Sequence, residues 1–129
     1  MALHNQLLVN AKAKNPFIDS KKAIEWMTDL VQQIDMKIIQ GPYASYVDKE
    51  GNRGVTCIVM IETSHIALHI WDEPDPALIQ FDLYTCSTLP VEEVLSNLEE
   101  TFNIVEYDYM VIERADSFNV LGLGHRTEE

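Results

Sequence analysis

Only two stretches of this 129-residue chain place apolar residues at helical spacing, whereas five carry them in the pattern of strands, and that imbalance limits the fold. The first helical segment runs from Ser20 to Ile39, with Ile24, Met27, Leu30, Val31 and Ile34 on one stripe and Asp19 or Ser20 as cap. The second is "STLPVEEVLSNLEETF", with Thr88 as cap, Pro90 in the first turn and Val91, Val94, Leu95, Leu98 and Phe102 on one face. Strands are expected in "QLLVNAKA", from Val55 to Ile61, from His65 to Trp71, from Leu78 to Cys86 and in "VEYDYMVIE". The unbroken apolar run "VTCIVMI" reads as covered on both faces or nearly so. In contrast, Ile79, Phe81 and Leu83 alternate with Gln80, Asp82 and Tyr84, as a half-buried strand does. "QGPYASYVDKEGNRG" and "DEPDP" read as connections, because Gly41-Pro42, Glu50-Gly51-Asn52 and the prolines Pro74 and Pro76 interrupt regular structure. Two amphipathic helices cannot cover both faces of such a sheet. The expected fold is α+β: a two-layer sandwich of a mainly antiparallel sheet with two helices on one face, its other face needing polar residues or a partner.

No Gly/Ser linker, repeat or low-complexity tract divides the sequence, so residues 1–129 are expected to form a single domain with a loose tail from about Gly122. Cys57 and Cys86 lie inside apolar segments and no leader-like apolar run precedes them, which points to a reduced, cytoplasmic setting. No run approaches the ~20 apolar residues that span a bilayer, so no membrane partner is expected. A net charge of -12 argues against a nucleic-acid partner, whose phosphates are gripped by clustered Lys and Arg. All six lysines (Lys12, Lys14, Lys21, Lys22, Lys37, Lys49) precede residue 50, which leaves Arg53, Arg114 and Arg126 as the strong bases of the remainder.

The chemistry concentrates in "ETSHIALHIW", where Ser64, His65 and His69 interrupt an apolar run. On a helix, His65 and His69 would lie one turn apart and could share a zinc ion. On a strand they stand roughly 13 Å apart, too far for one ion, and Ile66 occupies the place of a zincin's glutamate. No metal site is expected. Strand alternation also points Ser64 away from His65, Ala67, His69 and Trp71, so Ser64 meets His69 only if the chain bends at Ser64, which would make the Thr63-Ser64 bond special. A five-residue connection to an antiparallel neighbour brings Cys86 back toward Ser64, and Ser, His and Cys could then converge. A Cys/His pair here has no obvious orienting acid, and a Ser/His hydrolase would need the G-x-S-x-G elbow that is missing. Taken alone, Cys86 reads equally as an inert strand residue, Glu73 as a solvated loop carboxylate, Cys57 as core, and Trp26 and Trp71 as packing residues.

Read together, "TSHIALHIWDEP" and "QFDLYTC" resemble the processing and active-site region of the small bacterial-type S-adenosylmethionine decarboxylases, which cut themselves before a serine. Ser64, His69, Glu73, Asp82, Tyr84, Thr85 and Cys86 match in order, and the likeness extends through "LLVNA" and "RGVTCIVMIETSH" to about Glu113. The resemblance implies self-cleavage between Thr63 and Ser64, giving chains 1–63 and 64–129, with Ser64 converted to a covalent pyruvoyl cofactor that forms a Schiff base with the substrate amine. It implies that His69 and Thr56 serve processing, that Cys86 returns a proton to product, and that Glu73 holds ribose hydroxyls. Imidazole and thiol suit such transfers, since they ordinarily titrate near about 6.5 and 8.5. The implied substrate is S-adenosylmethionine, decarboxylated for spermidine synthesis, and the implied assembly is a homodimer. A pyridoxal enzyme would need a lysine near the site, and the half that carries these residues has none. Thr63 stands where the family carries glutamate, Thr56 where serine is usual, and "DEPDP" replaces a simpler Pro-Glu. Two alternatives remain. One is a pyruvoyl enzyme acting on ornithine or arginine, whose side-chain cation would pair with Asp72, Glu73 and Asp75; the other is an uncut binding or regulatory homologue.

Overall fold

The computed structural model describes residues 3–127. The chain runs β1 (Asn5–Lys14), α1 (Ser20–Gln33), β2 (Ile38–Val47), β3 (Gly54–Ile61), β4 (Ser64–Trp71), β5 (Ala77–Thr85), α2 (Val91–Thr101), β6 (Asn103–Glu113) and β7 (Asn119–Thr127). The strands form one sheet in the order β2-β3-β4-β5-β1-β6-β7, antiparallel at every pairing. One face of this sheet packs on both helices. Leu7, Val9 and Ala11 of β1, Val55, Cys57, Val59 and Ile61 of β3, Ile66, Leu68 and Ile70 of β4, and Ile79, Phe81 and Leu83 of β5 are all buried there. They meet Trp26, Met27, Leu30 and Val31 of α1 and Val94, Leu95 and Leu98 of α2 in one core. Each fully buried aliphatic or aromatic side chain contributes about 1.5–3 kcal/mol. The helices also touch each other, because the Trp26 indole N–H donates to Asn97 Oδ1 at 2.8 Å. The expected α+β sandwich with helices on one face is what forms.

Several local expectations need correction. The first helix ends at Gln33 rather than Ile39: Asp35 takes a φ of 56°, Met36 N–H bonds the Val31 carbonyl, and the chain leaves as a strand. That strand, β2, lies within the stretch read as a connection. Its Pro42 costs no ladder bond because β2 is an edge strand, and its register against β3 shifts on both sides of Gln40, next to Gly41 at a φ of 92°. The second helix is capped by Pro90 without a side-chain bond, not by Thr88; Glu92 and Glu93 in its first turn favour the positive helix end instead. Of the tail expected to be loose from Gly122, residues 122–127 belong to β7, and residues 128–129 lie outside the described residues. A Cβ on Gly124 would lie 2.1 Å from the Tyr109 ring, so any larger residue there would have to push that ring aside. Arg126 then packs over Tyr109 and pairs with Glu92 at 3.1 Å.

The unbroken apolar run of β3 proved to be covered on one side only. Ile58 and Met60 are about half exposed, on the face that no helix reaches. The register places Tyr43 opposite Ile58 on that face, and farther along the sheet Leu8, Met110 and Leu123 continue the apolar surface. The same open face carries His65, His69 and Trp71.

Candidate active site

Strands β3 and β4 are joined by the two-residue turn Glu62-Thr63, so that Ile61 faces Ser64 directly. Such tight hairpins favour residues at positive φ, usually Gly or Asn, within the turn itself. Neither turn residue adopts one. Ser64, the first residue of β4, does, with a φ of 145°. Asn15 and Asp35 also have positive φ, at 49° and 56°, but these lie in the left-handed well that such residues tolerate. A serine at 145° lies in territory otherwise left to glycine, where strain of about 1–3 kcal/mol is stored. The chain therefore bends at Ser64, on the Thr63-Ser64 unit.

Across the sheet, Ser64 stands opposite Thr85, the last residue of β5, whose side chain is fully buried. The next residue, Cys86, donates its backbone N–H to the Thr63 carbonyl oxygen at 2.8 Å. Thus the carbonyl beside Ser64 is polarised by a fixed donor, and the half-buried Cys86 is anchored one residue past the Ser64 partner. Cys57, by contrast, is wholly buried in the core, and burial pushes its thiol up to about 11.

His69 belongs to a second cluster. It lies opposite Thr56 on β3, and the Thr56 hydroxyl and His69 Nδ1 are 2.9 Å apart. Trp71 stacks beside it, ring centroids 5.6 Å apart, with its indole N–H on Asn52. Beyond Trp71, Glu73 borders a cavity of about 340 Å³ that Gly51, Arg53, Trp71, Pro74 and Leu78 complete. Trp71 is accordingly a cavity wall and only Trp26 a core residue, which corrects the reading of both as packing. Along β4 the five residues from Ser64 to His69 span about 16 Å at ~3.3 Å each. Of the three groups expected to converge, one chain brings Ser64 and Cys86 together and leaves His69 with Thr56.

Several contacts, and the residues Gln6, Arg114 and Arg53 that make them, escaped sequence reasoning. His65, next to Ser64, places Nε2 3.8 Å from Asp82, whose other oxygen accepts from Gln6 at 2.6 Å; Arg114 in turn donates to Gln6 at 2.9 Å. Arg53 holds Glu73 across a gap of 20 positions. No local pattern announces either set, because each is assembled by strand register alone.

The one-sided antiparallel sandwich thus presents a strained serine at a hairpin exit, with a fixed N–H on the preceding carbonyl. The sequence profile described as S-adenosylmethionine decarboxylase matches residues 5–115. The chain is also 30% identical over 91 residues to the S-adenosylmethionine decarboxylase proenzyme of Archaeoglobus fulgidus, which covers 70% of this chain and 80% of that protein. The chain belongs to the S-adenosylmethionine decarboxylase family.

Proposed function

We propose that this protein cuts its own Thr63-Ser64 bond, leaves a pyruvoyl group on residue 64 and decarboxylates S-adenosylmethionine. The observation that carries the reading is the Thr63 carbonyl, held by the Cys86 N–H beside a serine at a φ of 145°. Attack of Ser64 Oγ on that carbonyl carbon gives an oxyanion where the Thr63 oxygen now sits, and a preorganised N–H is worth most where charge develops. Collapse breaks the Thr63 C–Ser64 N bond, the freed nitrogen taking up a proton and staying on residue 64 as an amine, so that the amide becomes an ester and the strained backbone unit is released. Removal of the residue 64 Cα proton then expels the Thr63 carboxylate. Hydrolysis of the resulting enamine releases ammonia and leaves a ketone at position 64.

A pyruvoyl ketone supplies an electron sink for the pair left behind by carbon dioxide. This chain's residues do the rest. His69, aligned by Thr56, takes the Cα proton during processing. Cys86 Sγ is the proton donor to product, and its half-buried place at the Ser64 partner strand suits that task. Glu73 accepts ribose hydroxyls at the cavity beside Trp71.

The separation of Ser64 from His69 supports a homodimer. Each copy holds half of a site, and the open face that carries His69 also bears the exposed Tyr43, Ile58 and Met60. A two-fold relation that sets the open faces together with their β4 strands antiparallel would carry the His69 and Thr56 of one copy to the Ser64 and Cys86 of the other. No helix among the described residues is long and apolar enough to cross a membrane. Work in the cytoplasm, supplying an aminopropyl donor for spermidine synthesis, fits two free cysteines and this product. The test is release of labelled carbon dioxide from carboxyl-labelled S-adenosylmethionine by the purified protein. Release dependent on Ser64 is expected; its absence, with an uncut chain, would instead establish a binding homologue.

A further inference from the structure

Glu73 is held from two directions by a single residue. The Arg53 backbone N–H donates to Glu73 Oε1 at 2.9 Å, and the Arg53 guanidinium lies 3.8 Å from Oε2. The same guanidinium donates through Nε to Asp48 at 2.8 Å. Backbone geometry fixes this arrangement. The Asp72 N–H bonds the Arg53 carbonyl at 3.1 Å, and at Gly54 a Cβ would lie 2.0 Å from the Ile70 carbonyl oxygen. Only a glycine after Arg53 lets β3 begin so close to the end of β4.

Charge makes the contact consequential. Asp48, Glu50, Asp72, Glu73 and Asp75 gather in the two loops at this end of the sheet, against Lys49 and Arg53. Asp72 is already engaged by the Tyr46 hydroxyl at 2.9 Å. Left bare, Glu73 would seek a cation. Arg53, shared with Asp48, offsets part of the Glu73 charge, yet each carboxylate oxygen keeps a lone pair for a hydroxyl donor. A cation docked on Glu73 would meet the guanidinium as a like-charged neighbour, whereas a neutral hydroxyl would not.

We infer that Arg53 sets the substrate class at this cavity. By pairing with Glu73 it favours an amino acid whose far end is a sugar diol and a planar base, received between Trp71 and Glu73. It disfavours one whose far end is a second ammonium or a guanidinium. Arg53 is a positioning residue, and the inference rests on the reading of residue 64 as the source of a pyruvoyl group.

The experiment compares wild type, Arg53→Met and Arg53→Lys as full-length, self-processed proteins. It measures kcat and KM for S-adenosylmethionine, L-ornithine and L-arginine, after mass spectrometry has established the extent of cleavage. Arg53→Met should raise KM for S-adenosylmethionine with kcat nearly unchanged, and should shift the kcat/KM ratio toward the diamino acids by about fivefold to tenfold. Arg53→Lys, which keeps the charge, should restore the rejection of diamino acids. An unchanged ratio in Arg53→Met, or a wild type that prefers ornithine or arginine, overturns the role of Arg53 while leaving the pyruvoyl reading intact. A wild type that is never cut and decarboxylates none of the three overturns the pyruvoyl reading, and the inference with it.

Discussion

Thr56 and His69 face each other across the β3-β4 ladder, hydroxyl to imidazole Nδ1 at 2.9 Å, although 13 positions separate them in sequence. The contact fixes the imidazole and so leaves Nε2 as the free nitrogen for proton transfer. Thr56→Val keeps the shape and removes the partner. Self-cleavage, followed as loss of the uncut chain with time, should slow by about tenfold or more, while Thr56→Ser should cut at close to the wild-type rate. Equal rates in the valine variant would remove Thr56 from the mechanism.

Strain at Ser64 is separable from its hydroxyl. Ser64→Gly and Ser64→Ala both lose the nucleophile and should stay uncut, but only glycine accepts a φ of 145° at little cost. The glycine variant should therefore be the more stable of the two by about 1–2 kcal/mol in denaturant unfolding. Equal stability would mean that no strain is held there.

Two inactive chains should repair each other. On the proposed mechanism Ser64→Ala lacks the nucleophile and His69→Ala lacks the base, so neither should cut alone. In a co-refolded mixture, the His69→Ala chain presents its Ser64 to an intact His69 of the other chain, and that chain alone should be cleaved. Ile58→Asp, which buries a charge if the open faces meet, should abolish this repair. No cleavage in the mixture would contradict a site shared between copies.

The two thiols should behave differently. Burial keeps Cys57 protonated to about pH 11, so iodoacetamide at neutral pH should modify Cys86 and spare Cys57. Cys86→Ser retains the backbone N–H on Thr63 and should still be cut, yet its release of carbon dioxide should fall by about a hundredfold. Labelling of Cys57 in the folded protein would contradict its placement in the core.

Much of this was legible in the sequence, and the exceptions have physical causes. Alternation in "LIQFDLYT" gives the buried and half-buried faces of β5 directly, because one face is core and the other is not. The run in β3 misled because Ile58 and Met60 are as apolar as Val55 and Val59 although no helix covers them; the sequence encodes a face to be buried, not what buries it. β2 and β7 were hidden because both are edge strands interrupted by glycine or proline, where propensity is weakest and pairing decides. Ser64 and Cys86 were foreseeable as neighbours from one short connection. The hold of Arg53 on Glu73 and of Asp82 near His65 was not, since both depend on register between strands and leave no periodic trace.

The central claim is that residue 64 changes chemically through scission of its own peptide bond, and denaturing mass spectrometry of the purified, unmodified protein reads it directly. Two fragments meeting between Thr63 and Ser64 are predicted, the later one lighter than a serine-started peptide by the full mass of ammonia. A single intact 129-residue mass after prolonged incubation at neutral pH would contradict the account at its base.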